Sequence, residues 1–242
     1  MARMNHDKRE SVILNAAMRV FSEKGFAKTS IKDIAKAADM SPALLYAYFE
    51  SKNALYDAVM SYTYESANPT LQEMHRLGPG SQALIFCIFD ILSSTSLLYD
   101  PEDVEKKRIF DRLFCQSLVD NPDYARAHHD ELERLLITDF TISSFKAAEE
   151  AGEMVPCGES PRTRMQMVIH VMLSLKLTHL SGQPVYDYGM DTMELIEKAA
   201  MFCFRGIGLK AETIDKYFNV SELERTIRRI HVRAAMAKSE DN

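Results

Sequence analysis

Tryptophan is absent from the 242 residues, and cysteine occurs only four times. No two cysteines form a C-x-x-C pair, so no paired-cysteine metal or redox motif is encoded. Cys87, Cys115 and Cys203 lie in apolar runs and read as buried, reduced thiols. Cys157, between Pro156 and Gly158, reads as a loop residue. His128 and His129 are adjacent, and His170 and His179 are nine apart. Neither pair has the i, i+4 spacing of a helical metal site, so no metal is expected. No run of about eighteen apolar residues is present, which excludes a membrane-spanning helix. The N-terminal MARMNHDKRESV is charged and polar and lacks the apolar centre of a signal peptide, so a cytoplasmic protein is expected. Nucleophile elbow, phosphate loop, H-E-x-x-H and paired-carboxylate motifs are all missing, so neither an enzyme nor a cofactor is expected. Gly206-Ile207-Gly208-Leu209-Lys210-Ala211 matches a dinucleotide fingerprint in letters only, because it follows a helical pattern rather than a strand.

Charge is unevenly distributed. The formal net charge of −6 divides into +2 over residues 1–60, with nine Lys/Arg against seven Asp/Glu, and −8 over the remainder. An acidic body with a mildly basic head is consistent with one end facing a polyanion. Lys28, Lys32, Lys36 and Lys52 concentrate that positive charge locally.

The most informative stretch is Lys28–Lys52, KTSIKDIAKAADMSPALLYAYFESK. Ile31, Ile34, Ala35 and Ala38 fall at i, i+3, i+4 and i+7, one apolar face of a helix, with Thr29 or Ser30 as its cap. Asp39 and Met40 interrupt the pattern. Ser41-Pro42 restarts it, with Ser41 as cap and Pro42 at the first helical position, where its missing N–H costs nothing. In this second helix Leu45 and Phe49 point to the core. The outward positions Pro42, Ala43, Leu44, Tyr46, Ala47 and Tyr48 carry no charge. A solvated helix face normally does, so this one reads as built to meet a surface. A helix-turn-helix meets DNA with such a second helix in the major groove, although a helical hairpin within an ordinary bundle has the same spacing.

Residues 9–56 resemble the DNA-binding domain of the tetracycline-repressor (TetR) family of transcriptional regulators. The resemblance is carried by Ile13-Leu14-Asn15-Ala16-Ala17, Phe21-Ser22-Glu23-Lys24-Gly25-Phe26, Thr29-Ser30-Ile31-Lys32-Asp33-Ile34-Ala35 and Leu45-Tyr46-Ala47-Tyr48-Phe49-Glu50-Ser51-Lys52, in the family's order and spacing. It implies an all-α protein with a helix-turn-helix domain at 1–56 and a helical ligand-binding and dimerisation domain at 57–242. It also implies phosphate contacts from Thr29 and Ser30 with Lys28 beside them, and a recognition helix opened by Ser41, Pro42, Ala43 and Leu44. Tyr46 and Tyr48 match an aromatic pair that reaches phosphate or a base edge, and Lys52 matches a phosphate-binding lysine. Two positions depart from the pattern. Ala43-Leu44 stand where glycine and threonine are common, and Ala47 replaces a polar residue. Leu44 either packs on a thymine methyl or is buried against the first helix. Readout would then lean on apolar contacts and DNA shape.

The remaining sequence reads as helical. A first helix is expected over 8–24 with Gly25 as its stop, and a fourth from Ser51 through Leu55, Val59 and Tyr62. Asn68-Pro69 and Gly78-Pro79-Gly80 mark the boundary beyond it. Asp100-Pro101, Asn121-Pro122 and Ser160-Pro161 each place a capping side chain before a proline. Helices are expected near 81–98, 101–119, 122–150, 161–181, 191–208 and 221–238, the last with a capping box of Ser221 and Glu224. Its arginines Arg225, Arg228, Arg229 and Arg233 form a basic face.

The resemblance implies a homodimer formed through the helices near 161–181 and 191–208, reading a two-fold symmetric double-stranded DNA operator. The candidate faces are Val168, Val171, Met172 and Leu175 on one helix, and Ile196, Ala199, Ala200, Cys203 and Ile207 on the other. Service in the monomer core is the alternative. It also implies a small-molecule effector that releases DNA. An apolar pocket with a few polar groups is sought at Phe86, Phe89, Tyr99, Phe110, Phe114, Phe140, Phe145, Met167 and His170, with plain core as the alternative. The function so implied is a repressor released by an apolar or amphipathic ligand. The alternative is an architectural or partner-binding DNA regulator without an inducer.

Overall fold

The computed structural model describes residues 2–64, 68–93, 101–120, 122–179 and 185–240. Among them thirteen helices form. No strand does, apart from one antiparallel bridge pairing Met154 with Leu209. The protein is all-α. Two compact units divide it: Met1–Ser66 with Glu105–His128, and Ala67–Val104 with His129–Asn242.

The first unit holds α1 (Ala2–Lys24), α2 (Ile31–Ala37), α3 (Pro42–Tyr48) and α4 (Lys52–Tyr64), together with most of α7 (Pro101–Asp120). Its core is Ile13, Ala17, Met18 and Phe21 of α1, Ile34 and Ala35 of α2, Leu45 of α3, Leu55, Tyr56 and Val59 of α4, and Leu113 of α7. Phe21, Phe26 and Tyr56 form an aromatic cluster, with Phe21 edge-on to Tyr56 at 4.9 Å and Phe26 tilted on Tyr56 at 4.7 Å. α1 ends at Gly25, whose φ of 76° is the left-handed conformation expected of a helix stop.

The turn between α2 and α3 is closed by Met40 N–H donating to Ala35 O at 2.9 Å and Asp39 N–H donating to Lys36 O at 3.3 Å. This six-to-one and five-to-two pairing needs a left-handed residue. Asp39 supplies it at φ 54° without being glycine, and a short polar side chain tolerates that region best.

The second unit is built around α6 (Ser81–Ser93), in which Ala83 through Phe89, Ile91 and Leu92 are all buried. A helix apolar on every side must be surrounded. α6 packs against α5 (Asn68–Leu77), α9 (Asp139–Glu150), α10 (Pro161–His179), α11 (Thr192–Gly206), α12 (Ala211–Tyr217) and α13 (Val220–Glu240). Cys87 and Cys203 lie in this core, and burial pushes both thiols up to about 12, whereas Cys157 is exposed.

Helices start at Pro101, Pro122 and Pro161, as the three proline signals require. Several details differ from the sequence reading, beginning with α1, which starts at Ala2 rather than near residue 8. The helix expected over 122–150 is two, α8 (Pro122–Leu136) and α9. Thr138 takes an extended conformation and its hydroxyl accepts from Thr141 N–H, while the Thr141 hydroxyl donates to Leu136 O. Two threonines thus offer the backbone an alternative to the helix ladder. Asn68-Pro69, read as punctuation, opens α5. α12 is only seven residues long, too short for periodicity to reveal. α13 is capped by Asn219, which accepts from Glu222 N–H at 3.1 Å. Ser221 is therefore inside the helix, and Glu224 pairs with Arg228 at 2.9 Å instead of closing a box.

Arg164 ties the second unit together and is only 6% exposed. Its guanidinium donates to Glu159 O, Ile207 O and Cys157 O at 3.0, 3.3 and 3.4 Å, and to the Glu149 carboxylate at 3.2 Å. The loop after α9 and the end of α11 are thereby held to α10. Val155 N–H donating to Gly208 O at 2.7 Å and Lys210 N–H donating to Glu153 O at 3.1 Å flank the same junction. Gly208 is required there, since its φ is 95° and a Cβ would lie 3.2 Å from Val155 O.

Arg164→Ala is expected to cost about 3 kcal/mol, because it strands several buried acceptors and removes a partner from Glu149. Arg164→Lys recovers only part, lacking the planar fork. Urea denaturation followed by circular dichroism measures both, and an alanine variant as stable as the parent would remove Arg164 from this role.

Candidate nucleic-acid interface

The helix-turn-helix surface is built by two capped seven-residue helices. At α2 the Ser30 hydroxyl accepts from Asp33 N–H, and the Asp33 carboxylate accepts from Ser30 N–H at 2.9 Å and from the Ser30 hydroxyl at 2.6 Å. Lys24 adds an ion pair to Asp33 at 2.7 Å. Its hydrogen bond, followed by those from Ser30, holds the Asp33 carboxyl well below the usual carboxylate range. The sequence suggested neither the Lys24–Asp33 pair nor the reciprocal box.

At α3 the Ser41 side chain accepts from Leu44 N–H at 3.2 Å, with Pro42 at the first helical position. Leu45 turns inward and is 1% exposed. Ser41, Pro42, Ala43, Tyr46 and Ala47 are exposed and Leu44 is half-exposed. Leu44 is not among the side chains packed on the unit's core, so burial against α1 is not its role. The face of α3 is small, apolar and phenolic, as its composition implied.

Three of the expected contact positions have partners within the protein. Thr29 is buried. Its hydroxyl donates to Gly25 O at 2.8 Å and its N–H to Phe26 O at 3.3 Å, so neither donor points at a phosphate. Lys52 is half-buried. Its ammonium donates to Phe26 O at 2.7 Å and Thr29 O at 3.0 Å and sits 4.2 Å from the centre of the Phe26 ring. It pins the turn between α1 and α2 from within and holds α2 in place, with one of three N–H donors remaining. Tyr46 and Tyr48 are not an equivalent pair. Tyr46 is exposed, whereas Tyr48 packs on the core with its ring 4.6 Å from His6, a neighbour the sequence did not suggest. Lys28 and Ser30 are exposed as expected.

The residues sought as pocket and dimer face in the second unit are also rearranged. Phe86, Phe89 and Phe145 are buried in its core and Phe140 is packed on that core. Phe114 belongs to the first unit, and Met167 and His170 are exposed. Tyr99 and the Phe110 side chain lie outside the described residues. Of the proposed dimer residues, Val168, Met172, Ile196, Ala200, Cys203 and Ile207 are buried within the protomer, and Val171, Leu175 and Ala199 pack beside them. Apolar periodicity located the buried stripe of each helix, and the protomer's own core uses it. The exposed stripe of α10 runs through Met167, His170, Ser174 and Leu177, and α11 exposes Phe202.

Two short capped helices, the second with an uncharged outward face, give the geometry of a helix-turn-helix. Residues 13–59 match the family model of bacterial regulatory proteins of the tetR family. UidR of Escherichia coli strain K12, a helix-turn-helix transcriptional regulator, is 26% identical over 184 residues, covering 75% of this chain and 88% of that protein. YvdT of Bacillus subtilis is 53% identical over 47 residues, 19% of this chain and 24% of that protein. Solved structures share the fold. NalD, the secondary repressor of the MexAB-OprM efflux pump in Pseudomonas aeruginosa, superposes with a TM-score of 0.61 at 21% identity, covering 85% of this chain and 98% of its own. FadR of Bacillus subtilis does so at 0.60 and 17% identity, covering 81% and 98%. The chain therefore carries the DNA-binding domain of the TetR family of transcriptional regulators.

Two outcomes test this local reading. Lys52→Ala is expected to lower stability by about 1–2 kcal/mol, since two buried-side carbonyls lose a charged donor, and to weaken binding to every DNA sequence alike. Loss of DNA binding with an unchanged denaturation midpoint would make Lys52 a direct phosphate contact instead. Asp33→Asn is expected to be less stable than the parent at neutral pH. A lowered carboxyl pKa contributes stability above the ordinary aspartate value of 3.8 that is lost as pH falls through the folded value. The gap should therefore shrink below pH 3.8, and denaturation midpoints at neutral and acid pH measure it. A pH-independent gap would mean that the charge of Asp33 is not used.

Proposed function

We propose that this regulator is a cytoplasmic homodimer that reads a two-fold symmetric DNA operator and represses until a small apolar or amphipathic ligand releases it. DNA reading is assigned to residues 1–56, and effector response and dimerisation to 57–242. The observation carrying the DNA-reading part is the uncharged outward face of α3, held by the Ser41 cap, with Lys28 and Ser30 exposed at the start of α2. Base selection rests on Leu44 and the alanines at 43 and 47, which meet thymine methyls and groove walls rather than hydrogen-bonding base edges.

A single seven-residue helix reads too little sequence alone. Dimers read half-sites about one helical turn (~34 Å) or its multiples apart. The dimer face assigned is the exposed stripe Met167, His170, Ser174 and Leu177 with Phe202, which is 68% exposed. Met167, His170, Ser174 and Leu177 step by three and four residues, the spacing of a helix–helix seam. The ligand-responsive part draws on relatives. NalD is described as a repressor of an efflux pump, and FadR was crystallised with stearoyl-CoA.

A second reading is favoured by the close-packed Phe86, Phe89 and Phe145 in the second unit. It is a DNA-bound regulator that answers to a protein partner and has no inducer.

Selection of duplexes from a random pool, followed by a salt titration on the winner, tests the main reading. A palindromic winner with a steep salt slope is expected. Leu44→Ala should relax base preference more than it weakens non-specific binding, and equal losses on selected and scrambled DNA would take Leu44 out of readout. Acyl-CoA and other apolar ligands should dissociate the complex, whereas complete insensitivity to them would favour the second reading.

A further inference from the structure

The segment between α10 and α11 and the outer flank of α11 share an unexplained property. Both present apolar and aromatic surface to water. Val185, Tyr186 and Tyr188 are 77%, 62% and 42% exposed, and the two tyrosine rings lie 5.0 Å apart. The segment has a defined shape. Val185 N–H donates to Thr178 O at 2.9 Å, and Asp187 accepts from Gly189 N–H at 2.8 Å. Between α11 and α12 runs an open groove of about 760 Å³. Phe202, Ile214 and Phe218 give it an apolar lining, and Glu197, Lys198, Arg205 and Asp215 lie along it. Rimmed apolar patches of this kind mark interaction sites.

We propose that the Val185–Tyr188 segment of one protomer lies in the α11–α12 groove of its partner, so that the two copies exchange arms. The inference rests on the dimer reading above and adds to it a segment and a receptor. The arm sits at the N-terminal end of α11, whereas Phe202 and Arg205 sit ten to thirteen residues into it, roughly 15–20 Å away along the helix. The near end of the groove, at Glu197, is closer, yet no residue of the arm is among those lining the groove of its own chain. In a two-fold interface, residue i meets j and j meets i. When two α11 helices run antiparallel across the axis, the start of each lies by the end of the other, and both grooves fill together. Charge permits this pairing, because acidic Asp187 meets two cations, Lys198 and Arg205, against the like charge of Glu197, and Asp215 can accept from a tyrosine hydroxyl. Phe202 belongs both to the assigned dimer stripe and to the groove, so the two surfaces are continuous.

The test uses the full chain in a Cys157→Ser background with Tyr186→Cys and Arg205→Cys. Oxidation followed by non-reducing electrophoresis is expected to convert most of the double variant to covalent dimer, with no such band in the background chain. Mixing the two single variants should give a crosslinked heterodimer. Independently, Tyr186→Ser with Tyr188→Ser should raise the dimer dissociation constant about tenfold or more by sedimentation. Both residues are exposed, so the helical circular-dichroism signal should not change. A sedimenting dimer that does not crosslink would overturn the arm exchange while leaving the dimer standing. A chain monomeric at every concentration would overturn the dimer reading and this inference with it. A disulfide formed within one chain would show that the arm reaches its own groove, and would also overturn the proposal.

Discussion

The second unit depends on one constraint, that α6 has no polar side. From Ala83 to Phe89 every residue is buried, and burial of each large side chain contributes about 2 kcal/mol. Such a helix is stable only when neighbours cover its whole circumference. α5, α9, α10, α11, α12 and α13 do so, and each gives its apolar stripe to the task. What remains outward on α10 and α11 is then set by subtraction, and it is there that Met167, Leu177 and Phe202 are left in water. The second unit's exposed apolar surface is thus a consequence of how its centre is filled.

The first unit solves a different problem, which is to hold a seven-residue helix still. A helix that short is not stable alone. α3 is held by its Ser41 cap and by Leu45 in the core, while the left-handed turn at Asp39 aims it from the end of α2. α2 is held in turn by the Ser30–Asp33 box, by Lys24 on Asp33 and by Lys52 on the carbonyls of the preceding turn. Charged residues near the DNA-facing surface are therefore partly structural. They fix the pose of a surface whose own side chains carry no charge, which suits recognition by fit to methyls and groove shape.

Much of this was legible in the sequence because it is local. Caps, the proline starts, the stop at Gly25 and the inward turn of Leu45 follow from neighbours a few residues apart, and the structure has them. Thr29 and Lys52 have partners that residue spacing does not reveal. Their partners, Gly25 and the carbonyls of Phe26 and Thr29, are main-chain groups whose positions depend on how α1, α2 and α4 pack. A lysine near a helix start offers a charge, and only packing decides whether a phosphate or a carbonyl receives it. The stripes of α10 and α11 show the same limit, since periodicity finds an apolar face but does not say which copy of the chain covers it. The break at Thr138 escaped notice because the apolar rhythm continues across it.

The sequence by itself determined the helical class, the family resemblance of residues 9–56 and the uncharged face of α3. Each depends on residue type at fixed spacing, and spacing along a helix is fixed by backbone geometry. Tertiary structure decided which donors remain available to DNA, which apolar stripe is core and which is surface, and where the groove along α11 opens. Those outcomes arise where separate helices compete for the same buried space and the same hydrogen-bond partners, and that competition has no counterpart in the order of residues along one chain.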